Sequence, residues 1–61
     1  MMPDQLLTSD DVAERLQVTR QFVNRLRARG DLPAVKLGGA YRYRPQDITL
    51  FIRKHIVKET Q

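Results

Sequence analysis

Three features of this 61-residue sequence predict a mainly α fold carrying a two-stranded β-wing, in the order helix, helix, hairpin, helix. Two short segments with helical apolar spacing each begin at a threonine and are separated only by "QVT", residues 17–19. A segment of alternating apolar and polar residues is divided by Gly38-Gly39. A last amphipathic stretch opens on a proline. A chain this short forms one domain, residues 1–61, with a small core.

The first helix is read from "LTSDDVAERL". Thr8 is the expected N-cap, and Asp11 three residues on completes a capping box in which aspartate replaces the usual glutamate. Leu7 and Val12 stand at the two positions of a hydrophobic staple, and Val12, Ala13 and Leu16 follow at helical spacing. These signals bound the helix at Ser9 to Gln17. The same device recurs at once: Thr19 caps, Val18 and Val23 form a second staple, and Gly30 supplies the left-handed residue that stops the helix. A connection as short as "QVT" forces the two helices to cross steeply, which is helix-turn-helix geometry.

After Gly30, "DLPAVKLGGAYRYR" reads as a β-hairpin. Pro33 suits the first position of an edge strand, where no ladder donor is required. "AVKL" and "AYRYR" alternate with period two around a favoured turn dipeptide. Val35 and Leu37 are expected to share a face with Tyr41 and Tyr43, with Lys36, Arg42 and Arg44 on the other. Two strands alone are marginal, so the apolar face must lie on the helices. "RPQDITLFIRKHIVK" closes the fold: Pro45 marks a helix start and Asp47 lies in its first turn. Ile48, Phe51, Ile52, His55 and Ile56 recur at helical spacing, and Lys54 and Lys58 fall late, where cations suit the helix dipole. The sum is a minimal winged helix-turn-helix.

Charge is distributed unevenly over this frame. The formal net charge is +4. Residues 15–44 hold eight basic side chains against the single acid Asp31, a net +7; the flanks hold Arg53, Lys54 and Lys58 against Asp4, Asp10, Asp11, Glu14, Asp47 and Glu59, a net −3. A basic centre between acidic ends is the electrostatic pattern of a polyanion binder. "TRQFVNRLRARG" concentrates it, with four arginines in twelve residues and no acid. A merely solvated helix would mix in glutamate for i,i+4 pairs. On its wheel Phe22, Val23 and Leu26 turn inward, and Arg20, Gln21, Asn24, Arg25 and Ala28 turn outward. Guanidinium forks and amides are the groups that read guanine and adenine edges in the major groove. Arg20, Gln21, Asn24 and Arg25 are therefore the expected base-reading residues. Thr19, Arg27, Lys36, Arg42 and Arg44, which flank that face or sit on the wing, are expected on the DNA backbone.

Other chemistry has little support in the sequence. There is no cysteine, so neither a disulfide nor a Cys/His zinc cluster is expected, and cysteine absence fits a cytosolic protein. No apolar run is long enough to span a bilayer, and "MMPDQLL" lacks the pattern of a signal peptide. Tyr41 and Tyr43 between arginines could stack on single-stranded bases, but at alternating strand positions aromatics belong to the core. His55, the single histidine, flanks an apolar stripe. Asp10, Asp11 and Glu14 suit a helix N-terminus. No nucleophile triad, phosphate-binding loop or substrate cavity is expected, so no enzymatic activity, metal or cofactor is expected.

The stretch "LLTSDDVAERLQVTRQFVNRLRARGDLPAVKLG", with "YRY" and "DITLFI" after it, resembles the excisionase-family DNA-binding domain, a branch of the MerR-like winged helix-turn-helix group. The resemblance covers residues 6–52. Tyr41 takes the place of the family's inward aromatic, and Ile48, Phe51 and Ile52 take the closing-helix places. At Gly39 and Ala40, where family members usually carry basic residues, the wing tip is neutral. The resemblance implies a sequence-specific binder of double-stranded DNA that helps a site-specific recombinase excise a phage or mobile element, with an integrase as partner. It also implies work at the nucleoid, in the cytoplasm of a bacterium or phage-infected host. Small transcription regulators and antitoxin-like protein-interaction modules share the family. A lone module buries only about 600–1,000 Å² on DNA, so a largely monomeric protein binding adjacent sites head to tail beside other copies of itself is expected. Asp10, Asp11 and Glu14 would then meet wing arginines of the next copy.

Overall fold

A computed structural model describes residues 5–58; Asp4 and Glu59, counted above among the flanking acids, lie outside the described residues. The elements are α1 (Ser9–Leu16), α2 (Arg20–Ala28), β1 (Val35–Leu37), β2 (Ala40–Arg42) and α3 (Pro45–Lys54). This is the predicted order, and the fold is a small winged helix-turn-helix.

The caps form as the sequence predicts. Thr8 Oγ1 accepts from the Asp11 amide at 3.1 Å while the Thr8 amide donates to the Asp11 carboxylate at 3.1 Å. The bond from the Thr8 amide, then that with its side chain, holds the Asp11 carboxyl below its ordinary value of 3.8. Thr19 Oγ1 accepts from the Phe22 amide at 3.1 Å. Both helices end in the same motif. Beyond α2, Gly30 has φ 83°, its amide donates to Arg27 O, and the Asp31 amide donates to Leu26 O. Beyond α1, Gln17 takes the left-handed place at φ 60°, with its amide on Glu14 O and the Val18 amide on Ala13 O. These are paired C-terminal bonds of the Schellman type. The first therefore stops α1 at Leu16, one residue before the predicted end, and turns the chain directly into the second cap.

The core consists of Leu7, Val12, Ala13, Val23, Leu26, Leu32, Tyr43 and Ile48, with Leu16, Val18, Ala34 and Phe51 packed against it. Phe22, expected inward, is 38 % exposed. The buried side of α2 runs along Val23 and Leu26, one helical turn apart, and leaves Phe22 on its flank.

The hairpin corrects the expected faces. Its register pairs Val35 with Arg42, Lys36 with Tyr41 and Leu37 with Ala40. Cross-strand partners project to the same side of a sheet. A two-residue Gly38-Gly39 loop places residue i opposite i+3, so even positions of one strand face odd positions of the other. Tyr41 and Tyr43 thus share a face with Lys36, while Val35 and Leu37 share the other with Arg42. Burial agrees: Tyr43 is fully covered and Leu37 is 52 % exposed. Pro33 stands two residues before β1 rather than opening it. The structure also adds a pairing not anticipated. Leu7 and Tyr43 exchange backbone hydrogen bonds of 2.8 Å each, tying the segment before α1 to the end of β2.

The last helix is shorter than its apolar pattern. It ends at Lys54, where His55 and Ile56 amides bond back to Ile52 and Arg53 carbonyls and tighten the final turn. Lys58 lies beyond it. Ile48 enters the core and Phe51 borders it, but Ile52 and Ile56 are 45 % and 60 % exposed. The core reaches only the first half of α3, so the periodic residues after Phe51 have nothing to pack on. His55 is exposed; its ring lies 4.1 Å from that of Phe51, and its Nδ1 donates to Phe51 O at 2.8 Å.

Candidate nucleic-acid interface

The sharp turn at Gln17 brings the N-terminal ends of α1 and α2 side by side, and the Leu7–Tyr43 bridge brings β2 against them. An open groove lies where the three meet. It is lined by Arg20, Gln21 and Asn24 from α2, Tyr41 and Arg42 from β2, and Asp10 from α1. Three of the four expected base-reading residues are thereby gathered with one of the wing arginines. Arg25 is exposed on α2 but outside the groove lining.

The arginines differ in how they are held. Arg20 Nε lies 3.5 Å from Asp10 Oδ1, with both side chains well exposed. Arg29 is paired with Asp31 at 2.6 Å. Arg25 makes no ion pair among the described residues. Arg27 is half-buried, its guanidinium carbon 3.9 Å from the centre of the Tyr41 ring, and its Nε is buried without a hydrogen-bond partner among the described residues. Lys36 Nζ lies 5.9 Å from the same ring centre. Two cations expected on the DNA backbone, one from α2 and one from β1, therefore meet at one tyrosine. Arg42 Nη1 donates to Tyr41 O at 2.8 Å, which holds that side chain along its own strand.

Arg44 is engaged differently from the other wing cations. Its Nε and Nη2 donate to the two Asp47 oxygens at 2.7 and 2.9 Å, and Asp47 is buried. The hydrogen bonds to Asp47 raise the Arg44 pKa above its ordinary value. Arg44 occupies the N-cap of α3 without a capping side-chain bond, so this fork joins the end of the wing to the first turn of α3. Thr19 spends its oxygen as an acceptor for the Phe22 amide, which leaves its hydroxyl hydrogen able to donate.

The surface offers guanidinium, amide and hydroxyl donors on and beside a helix of nine residues, and an α-helix with its side chains is about 10–12 Å across. That suits the roughly 12 Å width of a B-DNA major groove. Two of its features are not legible in the sequence. Asp10 lies in the first turn of α1, as expected, and also lines the groove beside Arg20. Tyr41, expected in the core, is the platform for Arg27. The alternation of the strand was visible, but not the register that decides which cation each aromatic meets. Among the described residues no group of acidic, histidine or cysteine side chains could hold a metal ion, and no helix is long and apolar enough to cross a membrane.

Neither the curated proteins nor the solved structures contain a significant match to the chain. A family match, in contrast, spans residues 6–56, which include both capped helices, the wing and α3. The chain belongs to the helix-turn-helix domain family, whose members bind DNA.

Proposed function

We propose that this protein reads a specific sequence in double-stranded DNA with the N-terminal half of α2. Arg20, Gln21, Asn24 and Arg25 meet base edges in the major groove, while Thr19, Arg27, Lys36 and Arg42 hold the sugar-phosphate backbone and Arg44, expected there too, instead fixes the wing to α3 through Asp47. The observation that carries this reading is the groove itself: two donor-rich faces, from α2 and from β2, open on one side of the molecule with arginine in each. The likeness to excisionase-family domains supports an architectural role in excision by a site-specific recombinase, with an integrase as protein partner. In that role copies of this protein bind adjacent sites head to tail, because one module covers too little DNA to hold a unique site firmly. Small MerR-like regulators differ from this in acting at a promoter without a recombinase.

A second reading, an antitoxin-like module that docks on an acidic protein, draws on the outer side of α3. There Leu50 and Ile52 are exposed beside Arg53 and Lys54.

The test is sequence selection from a random duplex library, followed by Asn24→Ala and Arg25→Ala. Each is expected to lose about 1–3 kcal/mol of discrimination at one or two base pairs. Variants that weaken every sequence equally would reassign these residues to phosphate. Duplexes carrying one, two and three copies of the selected site then separate an array from a lone regulator, since only an array tightens per site as copies are added.

A further inference from the structure

Among the described residues, Asp10 is the single carboxylate lining the groove. On a surface facing a polyanion it should weaken binding, so its place there calls for a physical reason. Stabilising the α1 dipole is an insufficient one. Asp11 already makes the capping box, whereas among the described residues Asp10 bonds to no backbone amide and has one partner, Arg20.

We propose that Asp10 is a specificity-determining positioning residue for Arg20, an inference that rests on the DNA-reading role above. The carboxylate approaches the guanidinium at Nε, 3.5 Å away, and leaves the two terminal amino groups for another acceptor. A guanine presents such an acceptor pair at O6 and N7. When Arg20 reads guanine, its contact with Asp10 is kept, and exclusion of water from the interface strengthens it. When the base pair is wrong, Arg20 can gain only by swinging to a phosphate. That movement breaks the pair and leaves the Asp10 charge facing the DNA backbone. The carboxylate therefore penalises the non-cognate complex more than the cognate one, which is how discrimination arises from a repulsive element.

The experiment measures equilibrium binding of the full chain, at one fixed salt concentration, to a duplex with a single selected site and to a scrambled duplex. Wild type, Asp10→Asn, Arg20→Ala, the double variant and Asp31→Asn are compared. Asp31 is paired with Arg29 away from the groove, so its substitution makes the same charge change without touching Arg20. Asp10→Asn is expected to tighten binding to the scrambled duplex by up to about fivefold and to reduce the cognate preference by a similar factor, the size an exposed pair allows. Asp31→Asn should leave the preference unchanged, and Asp10→Asn should no longer alter it when Arg20 is absent. A preference untouched by Asp10→Asn, or lowered equally by Asp31→Asn or in the Arg20→Ala background, would overturn the assignment of Asp10 alone. A wild-type protein with no preference for any sequence would overturn the DNA-reading role as well.

Discussion

The guanidinium of Arg27 lies over the Tyr41 ring, its carbon 3.9 Å from the ring centre, and so joins α2 to the wing. The contact binds α2 to β2 through two side chains that belong to no common element. A cation over an aromatic face contributes about 0.5–2 kcal/mol, more as water is excluded.

Replacing Tyr41 by leucine should therefore lower stability by about 1 kcal/mol and also weaken DNA binding, by letting the wing move relative to α2. Tyr41→Phe keeps the ring face and should behave as wild type in both. Thermal unfolding alongside binding measures the two effects. Equal losses from phenylalanine and leucine would mean that the hydroxyl, not the stacking, matters.

Arg42 and Arg44 should separate on a salt titration. If about five phosphates are neutralised, log K falls against log salt with a slope of roughly −4 to −5. Arg42→Ala should reduce that slope by about 0.9, one phosphate contact. Arg44→Ala should instead act mainly on folding, because it removes the fork that satisfies buried Asp47. A drop in Tm of about 10 °C is expected, since a buried carboxylate left without its partner is strongly destabilising in a domain this small. The reverse pattern, a stable variant with a shallower slope, would make Arg44 a phosphate contact first.

Gln17 holds a left-handed conformation at φ 60° that glycine adopts without strain. Its side chain returns part of that strain through a 3.0 Å bond from Nε2 to Glu14 O. Gln17→Gly is expected to raise stability by about 0.5–1 kcal/mol, with DNA affinity unchanged, because Gln17 lies outside the groove. Denaturant unfolding decides it: a lower midpoint would show that the side-chain bond outweighs the backbone strain.

The Asp11 capping box carries a pH dependence whose sign follows from its depressed pKa. The folded state holds this carboxyl below 3.8, so its contribution is fully present above the unfolded value and is lost as pH falls through the lower, folded one. Wild type should thus lose more stability than Asp11→Asn as the pH is taken from 5 to below about 3. Parallel Tm profiles for the two proteins would remove the capping box from the acid response.

The sequence by itself determined the elements and their order. Threonine caps, the Gly30 stop, the Gly38-Gly39 turn and the spacing of Val12, Val23, Leu26 and Ile48 are local or periodic signals, and each acts through bonds within a few residues of its own position. The donor-rich composition of α2 was legible for the same reason. What only the tertiary structure decided are relations between elements: Tyr41 facing Arg27 and Lys36, Asp10 beside Arg20, Arg44 on Asp47, and Leu7 paired with Tyr43. A one-residue change in hairpin parity moves every strand side chain to the opposite face; the two-residue Gly38-Gly39 loop sets that parity, but the apolar alternation alone suggests the other one, with Val35 and Leu37 beside the tyrosines. The apolar repeat of α3 likewise did not reveal where the core ends. Periodicity states which residues could be buried, while the small volume enclosed by two short helices and a hairpin decides that Ile48 is covered and Ile56 is not.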